Sequence, residues 1–232
     1  MGATRKRKRK QPLDPGDPPY LYEHQHARME LDSHADTCAL GNCCVVLQDT
    51  GRTVTVEGFD DGIGALDDVH IVTAAVAHDC PTTSETWLQV FHEALHIPEM
   101  ETHLVNPFQV RNQGLIVNDT PLSQLSAEER TKEAHSIIDE DSGLHVPMDL
   151  NGTMSGWTVR KPTMEEIQGT ADVNVVHMTS NQRWKPHRKS FAEVEQSLRD
   201  DIDRGIDLHL RESREIGRIQ ARGQYMWKSW CC

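Results

Sequence analysis

The rhythm of apolar and polar positions changes several times along the chain, and the changes divide it. Cys43-Cys44-Val45-Val46-Leu47 is an unbroken apolar run, ended by Gln48-Asp49-Thr50-Gly51; Arg52-Thr53-Val54-Thr55-Val56 then alternates. A run, a glycine-ended turn and an alternating run predict a hairpin. Asp60-Asp61-Gly62-Ile63-Gly64 predicts a loop, either a plain surface turn or a mobile flap. Val69 to Ala77, rich in β-branched residues, has the length of a strand, and Asp79 to Thr83, with Pro81, turns the chain.

Thr86 to Ile97 is ambiguous. Trp87, Phe91, Ala94 and Leu95 would form one face of a helix. The segment also holds His92-Glu93-Ala94-Leu95-His96, a literal H-E-x-x-H. On a helix this spacing sets two imidazoles on one face for zinc, with the glutamate as general base. Pro98 follows His96 too closely for a helix that must run on, and His103 lies one place beyond the spacing of a third ligand. His24 and His26, with Cys38, Cys43 or Cys44, offer a weaker metal set without ligand-like spacing.

Beyond residue 118 the pattern weakens. Ser126-Ala127-Glu128-Glu129 has the form of a capping box, His145 to Gly152 predicts one short strand and turn, and residues 164–186 are polar and poorly patterned. Ser190-Phe191-Ala192-Glu193 is a second capping-box pattern. Phe191, Val194, Leu198, Ile202, Ile206 and Leu210 then recur at helical steps, with Gly205 as a weak point. The divisions expected are a basic, proline-rich disordered head (1–21), a β domain (22–120), an irregular extension with a short strand (121–187), an amphipathic helix (188–224) and a tail (225–232).

Composition sharpens this division. Hydrophobic residues make up 37% of the 232, which is too few for a core along the whole length. Residues 5–10 (Arg-Lys-Arg-Lys-Arg-Lys) hold six of the 24 basic residues; the remainder carries 18 against 36 acidic, a net of −18. That remainder repels nucleic acid, while the head suits phosphate binding or nuclear import. Six cysteines in adjacent pairs and irregular spacing read as reduced thiols, hence an intracellular chain. No leader and no membrane-length apolar stretch is visible in the sequence.

One stretch carries chemistry. Met29-Glu30-Leu31-Asp32-Ser33-His34-Ala35-Asp36-Thr37-Cys38-Ala39-Leu40-Gly41 leads an apolar strand into an acid, a hydroxyl, a second acid and a small-residue exit. It resembles the D-S/T-G-A-D/S signature of retropepsin-like aspartic proteases, and more closely the protease region of copia-type retrotransposon Gag-Pol polyproteins, a branch of which reads D-S-H-A-D. Leu95 to Val105 is similar to the block of that family reading V-L-Y-V-P-E-L then N-L-L-S, and Phe108 to Val117 to its short helix, glycine and closing strand. His145 to about Thr163 resembles the polypeptide that follows this protease. The likeness covers about residues 29–118.

The resemblance implies a mainly β, closed barrel or sandwich of retropepsin type, with a partly helical, partly disordered C-terminal region. Leu104 and Val105 would lie near the apolar strand passing behind the catalytic loop. Aspartic proteolysis needs two carboxylates about 3 Å apart sharing one proton, one acting as base towards water and the other as acid towards the departing amide. The chain has one D-S-x-A-D motif, so the implied enzyme is a homodimer with Asp32 from each subunit at the twofold. Ser33 would hydrogen-bond across the axis, Ala35 would keep the substrate side narrow, and Asp36 would orient main-chain donors or substrate backbone. His34 is the departure, standing where most such loops have glycine. A histidine there enters left-handed geometry at modest cost and titrates near neutrality. The implied substrate is the chain's own polyprotein, with no cofactor, metal or membrane, in the cytoplasm (a virus-like particle) or nucleus. Two alternatives stand: an inactive or domesticated β domain that dimerises or binds an extended peptide, and the zinc protease through His92, Glu93 and His96. In the plainest reading, Asp32 and Ser33 merely cap a turn.

Overall fold

The computed structural model describes residues 26–58 and 64–204. Strands dominate, as expected. In chain order they are β1 (His26–Leu31), β2 (Ala39–Leu40), β3 (Val45–Glu57), β4 (Ala65–Asp79), β5 (Thr86–His96), β6 (Thr102–Val105), β7 (Ile116–Asn118), β8 (Ser136–Asp139), β9 (Leu144–Pro147), β10 (Asp149–Asn151), β11 (Met154–Arg160) and β12 (Asn174–His177). Helices are α1 (Pro107–Gln113), α2 (Met164–Ile167) and α3 (Lys189–Asp203). The main sheet runs β10-β11-β1-β6-β2-β5-β4-β3, and β12 adds to β5. One further pair, Arg160 with Ala77, joins β11 to β4 and closes the strands between them into a ring. The second sheet is β7-β8-β9.

Several expectations change. Asp49 to Gly51 does not reverse the chain; it is a bulge inside β3, where Asp49 pairs with Val72 and Arg52 with Ile71. Gly51 takes φ +71°, and its N–H donates to Asp49 Oδ1 at 2.8 Å. Both halves of β3 pair with one continuous β4, and that ladder overrides the local turn signal. The hairpin instead joins β3 to β4. Its tip, with Asp60 to Ile63 of the flap, lies outside the described residues.

The 121–187 extension is not irregular. Besides β8 to β10 it supplies β11, antiparallel to β1 from His26–Arg160 to Glu30–Gly156, and β12, parallel to β5. Trp157 of β11 is 2% exposed in the same core as Met29, Phe91, Val105, Val110, Ile137 and Val176. Burying so large a side chain contributes about 2–3 kcal/mol. The boundary expected at 120 therefore cuts through one core.

Helix expectations shift as well. After Ser126 only turns follow; the Ser126 N–H donates to Glu129 Oε2 at 2.9 Å, but no helix forms behind the motif. A complete capping box forms instead at Thr163 and Glu166, heading the four-residue α2. The C-terminal helix begins at Lys189, so Ser190 sits inside its first turn without capping it. This helix belongs to a second compact unit that starts at Lys185. The expected helical residues beyond 204, the tail and the basic head lie outside the described residues. No described helix is long and apolar enough to cross a membrane.

Candidate active site

Asp32 is the first residue after β1, at a strand-to-loop junction. Its N–H donates to Val105 O at 3.0 Å, continuing the parallel β1–β6 ladder in which Leu31 faces Val105. The loop then returns as β2, whose Ala39 pairs antiparallel with Leu104. β6 thus threads between β1 and β2, the two strands that the Asp32 loop connects. Leu104 and Val105 are the β6 residues paired there: Leu104 with Glu30 and Ala39, and Val105 with Leu31.

Asp32 keeps 27% of its side chain exposed, and Oδ1 accepts the His34 N–H at 2.9 Å. One carboxylate oxygen thus serves the turn, as an Asx turn would. The His34 ring, 97% exposed, approaches Oδ1 to 3.9 Å. His34 is not among the residues with positive φ, so glycine is not required there and the cost expected for a histidine does not arise. Ser33 and Asp36 are exposed and Ala35 is half-buried.

The loop is held from behind by neutral groups. Asn106 donates through Nδ2 to Ala35 O at 2.6 Å, while its Oδ1 accepts the Gln109 N–H at 2.9 Å and caps α1. Pro107 pre-sets the first helical position, and Gly114, at φ +111°, ends the helix. Gln109 Oε1 accepts the Cys38 N–H at 2.9 Å. His103 Nδ1 accepts the Gly41 N–H at 2.8 Å, and burial pushes the imidazole down to about 4. Burial likewise pushes the Cys38 thiol up to about 12. Both are therefore neutral at pH 7. Gly41 is fixed by contact, because a β-carbon there would stand 2.1 Å from Met100 O. From outside, the Trp184 indole N–H donates to Asp36 O at 2.9 Å. The roles of Asn106, Gln109, His103 and Trp184 are not evident from the motif. Only Asn106 carried a usable signal, an Asn-Pro pair ahead of an apolar stretch.

The H-E-x-x-H segment is a strand. β5 pairs with β4 from His70–His96 to Asp79–Thr86, with a bulge where Ala94 faces Val72 and Phe91 faces Ala74. Glu93 lies in that bulge at φ +52°. His92 Nε2 lies 2.8 Å from His177 Nδ1 of β12, and its Nδ1 lies 3.1 Å from Thr73 Oγ1. Glu93 accepts an ion-paired hydrogen bond from Arg52. The helical zinc geometry is absent, and among the described residues no group of three or more His, Cys, Asp or Glu side chains is placed to hold a metal. Cys38, Cys43, Cys44 and Cys80 form no disulfides.

Comparison with protein-family models, with curated proteins and with solved structures yields no match.

Proposed function

We propose that the chain is the protease region of a copia-type retrotransposon polyprotein, an aspartic endopeptidase that acts as a homodimer on its own polyprotein. The observation that carries this reading is the threading of β6 between the two strands joined by the Asp32 loop, with Asp32 at the junction. That arrangement fixes a short acidic loop on three paired strands and leaves a carboxylate partly exposed. The sequence of β6, α1, Gly114 and β7 after it is the order that the family resemblance implies.

In this reading Asp32 of each subunit contributes one carboxylate. Two such groups about 3 Å apart ionise once between them. The ionised one draws a proton from water as the water attacks the peptide carbonyl; the protonated one gives its proton to the departing nitrogen. Ser33 would meet the second loop and Asp36 would orient main-chain donors or the substrate backbone; both are exposed on the same loop. The test is self-cleavage of the full chain: Asp32→Ala abolishes it. An undiminished rate removes Asp32 from the mechanism.

A further inference from the structure

Residues 177–184 follow an unusual course. His177 ends β12, and Met178 and Thr179 are wholly buried. The Met178 N–H donates to Val90 O at 2.8 Å. Thr179 Oγ1 accepts the His92 N–H at 2.7 Å and donates to His92 O at 2.7 Å. Asn181, Gln182 and Arg183 are then exposed. At the far end Trp184 is fastened twice: its backbone N–H donates to Glu93 Oε2 at 3.1 Å, and its indole donates to Asp36 O at 2.9 Å. Its ring also lies 6.3 Å from that of Phe108, the second residue of α1. A span held at both ends and solvated in the middle is a strap, and one of its ends is bonded to the loop that carries Asp32.

The anchor is itself unusual. Glu93 sits in the β5 bulge with a positive φ, a conformation costly for a residue with a β-carbon. The bulge turns its carboxylate to Arg52 of β3 and to Trp184, while its carbonyl accepts Gln109 Nε2 at 3.4 Å. Gln109 in turn holds Cys38 at the loop's exit. Two successive loop carbonyls, those of Ala35 and Asp36, are therefore held from different parts of the chain, one by Asn106 and one by Trp184.

We propose that Trp184, seated by Glu93, is a positioning residue for the Asp32 loop, and that the 178–184 strap keeps this loop in the geometry its chemistry requires. The inference rests on the proteolytic reading for its consequence, but its structural half stands apart from it. The contacts that define Trp184's place are to the Asp36 carbonyl, the Glu93 carboxylate and the Phe108 ring. Trp184 acts by fixing the Asp36 carbonyl and, through it, the limb of the loop that follows Asp32. Misplacing a catalytic group by about 1 Å costs on the order of a hundredfold in rate.

The experiment uses the full chain with Trp184→Ala, Trp184→Phe and Asp32→Asn. Cleavage is read as kcat and KM, and hydrogen exchange is read at the amides of residues 33–37. Trp184→Ala is expected to lower kcat by about tenfold to a hundredfold with little change in KM, and to speed exchange in the loop. Trp184→Phe retains the ring but not the indole donor and is expected to fall between the two, with a folded control melt. If Trp184→Ala does not fold, the Phe variant decides. Wild-type kcat and exchange in the folded variant overturn the strap. Full activity of Asp32→Asn overturns the proteolytic reading instead, and the exchange arm then still decides whether Trp184 holds the loop.

Discussion

Two of the places where distant parts of the chain are tied together differ in the kind of tie. At the Asp32 loop the ties are neutral: an asparagine, a glutamine, a neutral histidine and an indole, each bonded to backbone. At the junction of β11, β4 and α2 they are ionic. Arg160 donates to both oxygens of Asp79, at 2.7 and 3.0 Å, and to both oxygens of Glu166, at 2.6 and 2.9 Å. The guanidinium holds both carboxyls below the usual range, and they raise its own affinity for its proton. A carboxylate so paired cannot share a proton near neutrality. At Asp32 the only basic side chain within ion-pairing range among the described residues is His34, at 3.9 Å. The loop is positioned without a fixed cation beside its acid, which a proton-sharing pair requires; the charged cluster is a structural fastening.

The largest effect separating the two places is expected at Arg160. With 9% of its side chain exposed, its replacement in Arg160→Met leaves Glu166, 8% exposed, without its cation. The loss of stability is expected to be about 3–5 kcal/mol, measured by denaturant unfolding. A loss below about 1 kcal/mol would make the cluster incidental.

Next in size is the acid response of the loop's backing. His103 takes up a proton near its ordinary 6.5 when unfolded but only near 4 when folded. As pH falls, the unfolded state binds the proton first. The contribution is therefore complete above about 6.5 and is lost towards 4, by about 3 kcal/mol. Burial shifts His78, His92, His96, His135 and His177 the same way, which deepens the acid limb. His103→Gln retains an acceptor for Gly41, and thermal melts between pH 7 and 4.5 should show a shallower limb than wild type. An unchanged limb would assign the acid response to the other histidines.

A smaller effect is expected at Asn106. Asn106→Ala removes the α1 cap and the Ala35 bond together, at about 1–2 kcal/mol. Unlike Arg160→Met, it should speed hydrogen exchange in the loop out of proportion to its effect on global unfolding. Uniform loosening would erase the distinction between the two places.

The same contrast explains what could be read from the chain beforehand. The Asp32 strand, the short helix closed by Gly114 and the β character of residues 43–77 are written in contiguous residues. Residues 86–96 are a strand that looks helical because the bulge at Glu93 adds one residue, so that Trp87, Phe91 and Ala94, which share one core, fall at helix-like steps; Leu95 packs in a different cluster, with Ala39, Val69 and Ile97. Asp49 to Gly51 imitates a hairpin turn for the same reason. β11 and β12 escaped because their partners are remote: Arg160 pairs with His26, and Asn174 with Trp87. Short strands paired across so much chain leave little local pattern. Glu93 was legible only as the base of a zinc site that the strand does not form, and Trp184 not at all, since the bonds they make here arise from a bulge and from a segment remote in sequence.

The most direct test of the paired-acid claim is a mixing experiment. Asp32→Ala chain is titrated into wild type at constant total concentration, under conditions where subunits exchange, and cleavage of an added substrate peptide is followed. If each subunit supplies one acid, activity falls as the square of the wild-type fraction, to about one quarter in an equal mixture. A linear fall, to about one half, would show that a single chain carries the whole active site.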